Sequence, residues 1–266
     1  MSNTIQRILS SIVMLVLVFI SVKLGNFATF LLWILVSILC LDEIICNFFK
    51  QKRNYQYFLF IISFLVLCFL PKEIKFVFLI LSIFTNIIAI YYLFSANIED
   101  KFIFNISKIS PWKSIYFFVP NFITFLYYFN FENWKEILTL LLVVTFSMDT
   151  GAWFFGKNFG KRKLWPAVSP KKTFEGLFGG MFISMLFGSI VFELIFHRFS
   201  ISYAILFSFF GAMAQLGDLL QSKIKREFGI KDSSQLIPGH GGVYDRIDGL
   251  IFLSPFFGIV VKYLGV

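Results

Sequence analysis

Apolar and polar positions along the chain fall into long hydrophobic runs joined by short polar links. A bilayer core of about 30 Å needs roughly 20 apolar residues in a helix. By that measure nine runs are expected spans: about 8–22, 27–48, 56–70, 74–94, 115–131, 136–155, 174–196, 202–221 and 249–265. The third and fifth are short and admit a tilted or re-entrant path or an extension into their flanks. Only Arg7 precedes the first run as a basic residue, and no small-residue cleavage site follows it, so it is expected to stay as a helix. No internal repeat or low-complexity tract interrupts the series.

Composition agrees with that pattern. With 58% hydrophobic residues, 15% charged residues and a mean hydropathy of +0.80, the 266-residue chain reads as an all-α, polytopic integral membrane protein. Its net charge of +9 does not indicate nucleic acid as a partner, because the basic residues lie in short links between spans, where they set orientation and meet anionic lipid. The N-terminus and every second link hold 18 of the 24 Lys and Arg residues, which predicts a cytoplasmic N-terminus. The same count predicts the loops 156–173 and 222–248 on the cytoplasmic side, and the cell's inner (cytoplasmic) membrane is the expected location. Cys40, Cys46 and Cys68 are odd in number and form no C-x-x-C, so they are expected to be packing residues.

Carboxylates at the ends of apolar runs carry the first chemical signal. Asp149 closes one run and Asp218 another, and an ionised group at membrane depth is a functional candidate because burying it unpaired is costly. The bland alternative is an acid that simply reaches water. Asp245 and Asp248 are three apart and share a helix face, while Asp218 and Ser222 are four apart on the preceding helix. Several carboxylates at one depth repel unless a cation sits among them, and oxygen ligands without a His or Cys cluster suit Mg2+, with room for a second cation. Lys171, Lys172, Lys225 and Arg226 are placed to clamp phosphates. Gly239, Gly241 and Gly242 around His240 imply a backbone that approaches something closely or donates N–H groups to an anion, and Gly151 and Gly156 suit helix packing.

At these residues the chain resembles the phosphatidate cytidylyltransferases, also called CDP-diacylglycerol synthases. The resemblance rests on Ser222, Lys225, Arg226, Lys231, Asp232, Ser234, Pro238, His240, Gly241, Gly242, Asp245, Arg246 and Asp248. It extends upstream to Asp149-Thr150-Gly151-Ala152 with Gly156-Lys157, and to Ser169 through Gly176, with Trp153 where a Tyr is more usual. It implies a metal-dependent membrane enzyme that joins CTP to phosphatidate and releases pyrophosphate. It further implies Asp218, Asp245 and Asp248 as metal ligands, His240 as a catalytic group, and Asp149, Lys171, Lys172, Ser222, Lys225, Arg226, Lys231, Gly241, Gly242 and Arg246 as substrate-binding residues.

The expected organisation is therefore residues 1–135 as transmembrane helices without a recognisable motif, and 136–266 as the catalytic region. CTP, phosphatidate and membrane lipid are the expected partners, and a homodimer is a candidate assembly. Transfer is expected to be direct, since phosphatidate is already an anionic nucleophile and Ser222 has no local base. An ion-coupled transporter with an intramembrane carboxylate is the competing class, but clustered basic residues on one face fit a triphosphate better. The D-G-x-x-A-R motif of the CDP-alcohol phosphotransferases is absent.

Overall fold

A computed structural model describes residues 3–95 and 97–261. In chain order its helices are α1 (Asn3–Leu24), α2 (Asn26–Glu43), α3 (Tyr55–Cys68), α4 (Lys72–Ser95), α5 (Phe102–Ile109), α6 (Pro111–Tyr116), α7 (Val119–Tyr127) and α8 (Trp134–Phe159). An antiparallel hairpin of β1 (Lys163–Trp165) and β2 (Ser169–Thr173) follows, then α9 (Phe174–Phe196), α10 (Ile201–Glu227) and α11 (Tyr244–Val261). The all-α expectation thus acquires one small hairpin, inside what the sequence left as the loop 156–173.

Among the described residues six helices are long and apolar enough to cross a membrane: Ile5–Leu24, Asn26–Phe48, Lys72–Ser95, Trp134–Phe159, Phe174–Phe196 and Ile201–Glu227. The expected fifth span is not one continuous helix. It is divided into α6 and α7, which begin with Pro111 and just ahead of Pro120, because proline lacks the N–H that an unbroken helix needs. The 14-residue α3 is about 21 Å long at 1.5 Å per residue, short of a bilayer core. Residues 262–265 of the expected ninth span, and Lys262 among the counted charges, lie outside the described residues.

Packing divides the chain into two compact units: Met1–Leu81, Lys101–Glu132 and Ile224–Ile247 in the first, and Ser82–Asp100, Asn133–Lys223 and Asp248–Val266 in the second. In the first unit the Trp33 ring stacks on Phe125, and its indole N–H donates to the Phe122 carbonyl at 3.1 Å. Phe48, Phe49 and Phe104 surround Phe228, while Tyr244 meets Phe48 and Phe122. These aromatic contacts fix both ends of the 228–244 loop. Much of α1 is exposed, including Leu15 and Phe19, as suits side chains that meet lipid.

In the second unit α8 and α9 pack along small residues. A Cβ at Gly151 would lie 2.8 Å from Ile183 Cβ, so the helix-packing reading of that glycine holds. The hairpin sits between these helices in sequence, and Thr173 caps α9 by accepting from Gly176 N–H at 3.1 Å.

Candidate active site

In the first unit the end of α10, the loop to residue 243 and the start of α11 form a hydrogen-bonded knot. Asp245, in the first turn of α11, accepts from Lys225 Nζ at 2.7 Å on one oxygen. Its other oxygen accepts the backbone N–H groups of Ser233 at 2.8 Å and Gly242 at 3.0 Å. A carboxylate at a helix N-terminus, paired with a cation and two amides, is held as an anion. Here Lys225 is occupied by the protein's own carboxylate.

The turn Ile237–Gly241 closes through Ile237 N–H to Gly241 O at 2.8 Å, with φ of +75° at Gly239 and +88° at Gly241. Both values lie in the left-handed region that glycine adopts without a Cβ penalty. The Arg246 guanidinium donates to the His240 carbonyl at 2.9 Å, and Arg7 Nε donates to the Gly239 carbonyl at 2.9 Å. Ser10 Oγ lies 2.7 Å from His240 Nδ1. Burial, then the positive charges of Arg246 and Arg7, lower the His240 pKa below its ordinary 6.5. A cavity of about 690 Å³ opens here, lined by Arg7, Lys231, Asp232, Ser234, His240 and Arg246 among others.

Glu43, an acid outside the motif residues, is buried in this unit with four hydrogen-bond donors. At 3% exposure it accepts from Ser233 Oγ (2.8 Å), Ser234 Oγ (2.6 Å), Val243 N–H (2.8 Å) and Tyr244 N–H (3.0 Å). A Cβ on Gly242 would collide with the Glu43 carboxylate and with Ser233 Oγ. In this structure the close approach at Gly242 makes room for a protein carboxylate. The signal was visible: Glu43 is an acid inside the apolar run 27–48.

In the second unit Asp218 lies within α10, which runs on past it to Glu227. Its Oδ2 is 2.6 Å from Lys172 Nζ of β2, in charge contact but not aligned as a hydrogen bond. Ser222 Oγ donates to Oδ1 at 3.2 Å, so the four-residue spacing places the pair as expected. A Cβ on neighbouring Gly217 would lie 3.0 Å from the Asp248 carbonyl oxygen, so α10 and α11 approach closely beside the two acids. Asp149 is exposed on α8, which continues beyond it to Phe159, and Lys171 is exposed on the hairpin. Lys223, counted in the sequence as a loop charge, is fully buried and donates to the carbonyls of Tyr92 (2.7 Å) and Leu93 (2.9 Å).

Of the three expected metal ligands, Asp245 belongs to the first unit and Asp218 and Asp248 to the second. Among the described residues no three His, Cys, Asp or Glu side chains gather as a ligand set. Hard carboxylate oxygens match the preference of Mg2+ for one or two such ligands with water and phosphate completing the shell. Asp218, with its side chain 34% exposed, retains access that Asp245, at 5%, lacks.

A family model described as the cytidylyltransferase family matches residues 5–264. The chain is 46% identical over 117 residues to a phosphatidate cytidylyltransferase of Bacillus subtilis (strain 168), covering 43% of each protein. It is 43% identical over 143 residues to a protein of that name from Staphylococcus saprophyticus, covering 52% of this chain and 53% of the relative. Another from Staphylococcus aureus (strain COL) is 40% identical over 141 residues, with the same coverage. The chain spans about half the length of the curated relatives it matches.

Proposed function

Since the chain belongs to the cytidylyltransferase family, we propose that it joins CTP to phosphatidate, forming CDP-diacylglycerol and pyrophosphate. A phosphatidate oxygen attacks the α-phosphorus of CTP; the new P–O bond forms as the bond to the β-phosphate breaks, and pyrophosphate leaves with the electron pair. Both reactants are strongly anionic, so the protein's task is to neutralise charge and align attack. The observation that carries this reading is the cationic cavity of about 690 Å³ at the signature loop, where Arg7, Lys231 and Arg246 meet His240.

Asp218 and Asp248 would hold Mg2+, which when bound would neutralise phosphate charge, while Asp245, already filled by Lys225 and two amides, holds the loop. This chain's own groups orient the loop: Lys225 holds Asp245, and Arg246 holds the His240 carbonyl. The reading also keeps nine spans in the inner membrane with the N-terminus and the motif loops cytoplasmic. The contact between Ser10 and His240 supports it, because it brings the start of α1 to the 238–240 turn. A chain returning to the same face crosses an even number of times, and eight spans are expected between these residues.

The test is to incubate purified protein in detergent with phosphatidate, Mg2+ and CTP labelled at the α-phosphorus. Label is expected in the lipid fraction and only when all three are present. A further control omits phosphatidate: direct transfer allows no exchange of labelled pyrophosphate into CTP. An unlabelled lipid fraction would reject the activity, and robust exchange with label on the protein would reject direct transfer.

A further inference from the structure

We propose that Glu43 is the positioning residue of the signature loop, setting the 233–244 backbone so that the cavity groups meet the nucleotide; this rests on the cytidylyltransferase reading. A carboxylate removed from water costs several kcal/mol unless its lone pairs are filled. Glu43 has its cost offset by four donors, all from the loop and the start of α11. Two of these, Val243 and Tyr244 N–H, belong to the unpaired amides that every helix N-terminus presents. One side chain thus fixes the loop's entry at Ser233–Ser234 and its exit at Val243–Tyr244.

The local geometry of α2 supports this. Beyond Glu43 the helix widens into a π turn, Ile44–Phe48, a feature that recurs at functional sites. Asn47, four residues on, donates from Nδ2 to the Ser233 carbonyl at 2.8 Å. Ser233, 1% exposed, is thereby gripped on both sides, its hydroxyl by Glu43 and its carbonyl by Asn47. Ser234 also lines the cavity, so the grip is one residue from Lys231–Asp232 on one side and continuous with Gly241–Gly242 on the other.

The Glu43 carboxylate is taken up by donors of the loop, so its effect is through the loop, and the experiment separates that from a general loss of fold. Purified wild type and Glu43→Gln are compared by detergent melting, by amide exchange over 233–244, and by kcat and KM for CTP and phosphatidate separately. Glu43→Gln keeps the volume and removes the charge. The expected result is kcat/KM for CTP lower by on the order of 100-fold, the scale of a misplacement near 1 Å. KM for phosphatidate should stay within about twofold, with faster exchange at Val243 and Tyr244. Glu43→Asp should regain part of the loss. Unchanged kinetics, or a drop in active fraction with both KM values unaltered, would overturn the proposal. Should Glu43→Gln fail to fold, Ser233→Ala/Ser234→Ala removes two of the four donors and decides the same question by the same split. If wild type makes no CDP-lipid, the function reading fails by itself, and amide exchange alone then decides whether Glu43 fixes the loop.

Discussion

Two carboxylates carry lysine ammoniums at contact distance, and water decides how much each pair matters. Asp245 and Lys225 are 5% and 10% exposed, so removing one charge strands the other. Asp245→Asn is expected to cost about 3 kcal/mol of stability as well as turnover, with Lys225→Met in the same chain restoring the melting temperature but not the activity. Equal melting of wild type and Asp245→Asn would show that the pair is not buried in the working protein. Asp218 and Lys172, at 34% and 19%, are screened more, and Asp218→Asn should cost less than about 1 kcal/mol while still abolishing activity. His240 titrates in the opposite sense to a salt-bridged base. Its lowered pKa means the unfolded chain binds more protons below pH 6.5, so its contribution is complete above 6.5 and is lost as pH falls through the folded value. Between pH 7 and 5, wild type should lose melting temperature faster than His240→Asn; parallel curves would refute this. Asp218 with Ser222 was legible because both lie on one helix. Glu43 was not connected to Ser233, because contacts across about 190 positions leave no periodic trace in a single sequence.

At the level of elements, helix ends account for the charges that the sequence assigned to loops. Lys223 donates to the carbonyls of Tyr92 and Leu93 in the last turn of α4 and lies 4.2 Å from the Tyr92 ring centroid and 5.6 Å from that of Trp165. Last-turn carbonyls have no helical partner, and a lysine both satisfies them and complements the helix dipole. Glu227 does the converse for α5, accepting Ile103 N–H at 2.9 Å. Lys223→Met should leave two buried carbonyls unpaired at a cost of about 1–3 kcal/mol, lowering the detergent melting temperature by several degrees. Orientation in the membrane should not change, and a variant that melts like wild type but inserts inverted would restore the topological reading. Hydropathy located the long helices because their periodicity is local. It missed the hairpin, whose register Trp165 to Ser169 depends on pairing, and it merged α6 with α7, although Pro120 marked the break.

For the molecule as a whole, the broken segment 111–130 sets which loops share a face. If it crosses, Lys108 and Glu132, exposed at its two ends, lie on opposite sides; if it re-enters, they lie on the same side. Ser10 touching His240 requires an even number of crossings between them; the six helices long enough to span already make an even number, so α3 and segment 111–130 should either both cross or both stay on one side. Its nearly complete burial over Val119–Leu126 is compatible with a kinked crossing, because freed backbone groups are tolerated at membrane depth where protein covers them. Single cysteines at Lys108, Glu132 and Gln235, in a chain lacking Cys40, Cys46 and Cys68, read the answer with an impermeant maleimide. Gln235 is exposed and so serves better than buried Ser233. If the Lys- and Arg-rich links face the cytoplasm as proposed and segment 111–130 crosses, Glu132→Cys should be labelled in intact cells, and Lys108→Cys and Gln235→Cys only after the membrane is opened. Labelling of Gln235→Cys in intact cells would put the cavity on the side without CTP and defeat the proposed activity. Protection of Glu132→Cys together with Lys108→Cys would make 111–130 re-entrant, and the short α3 would then not cross either.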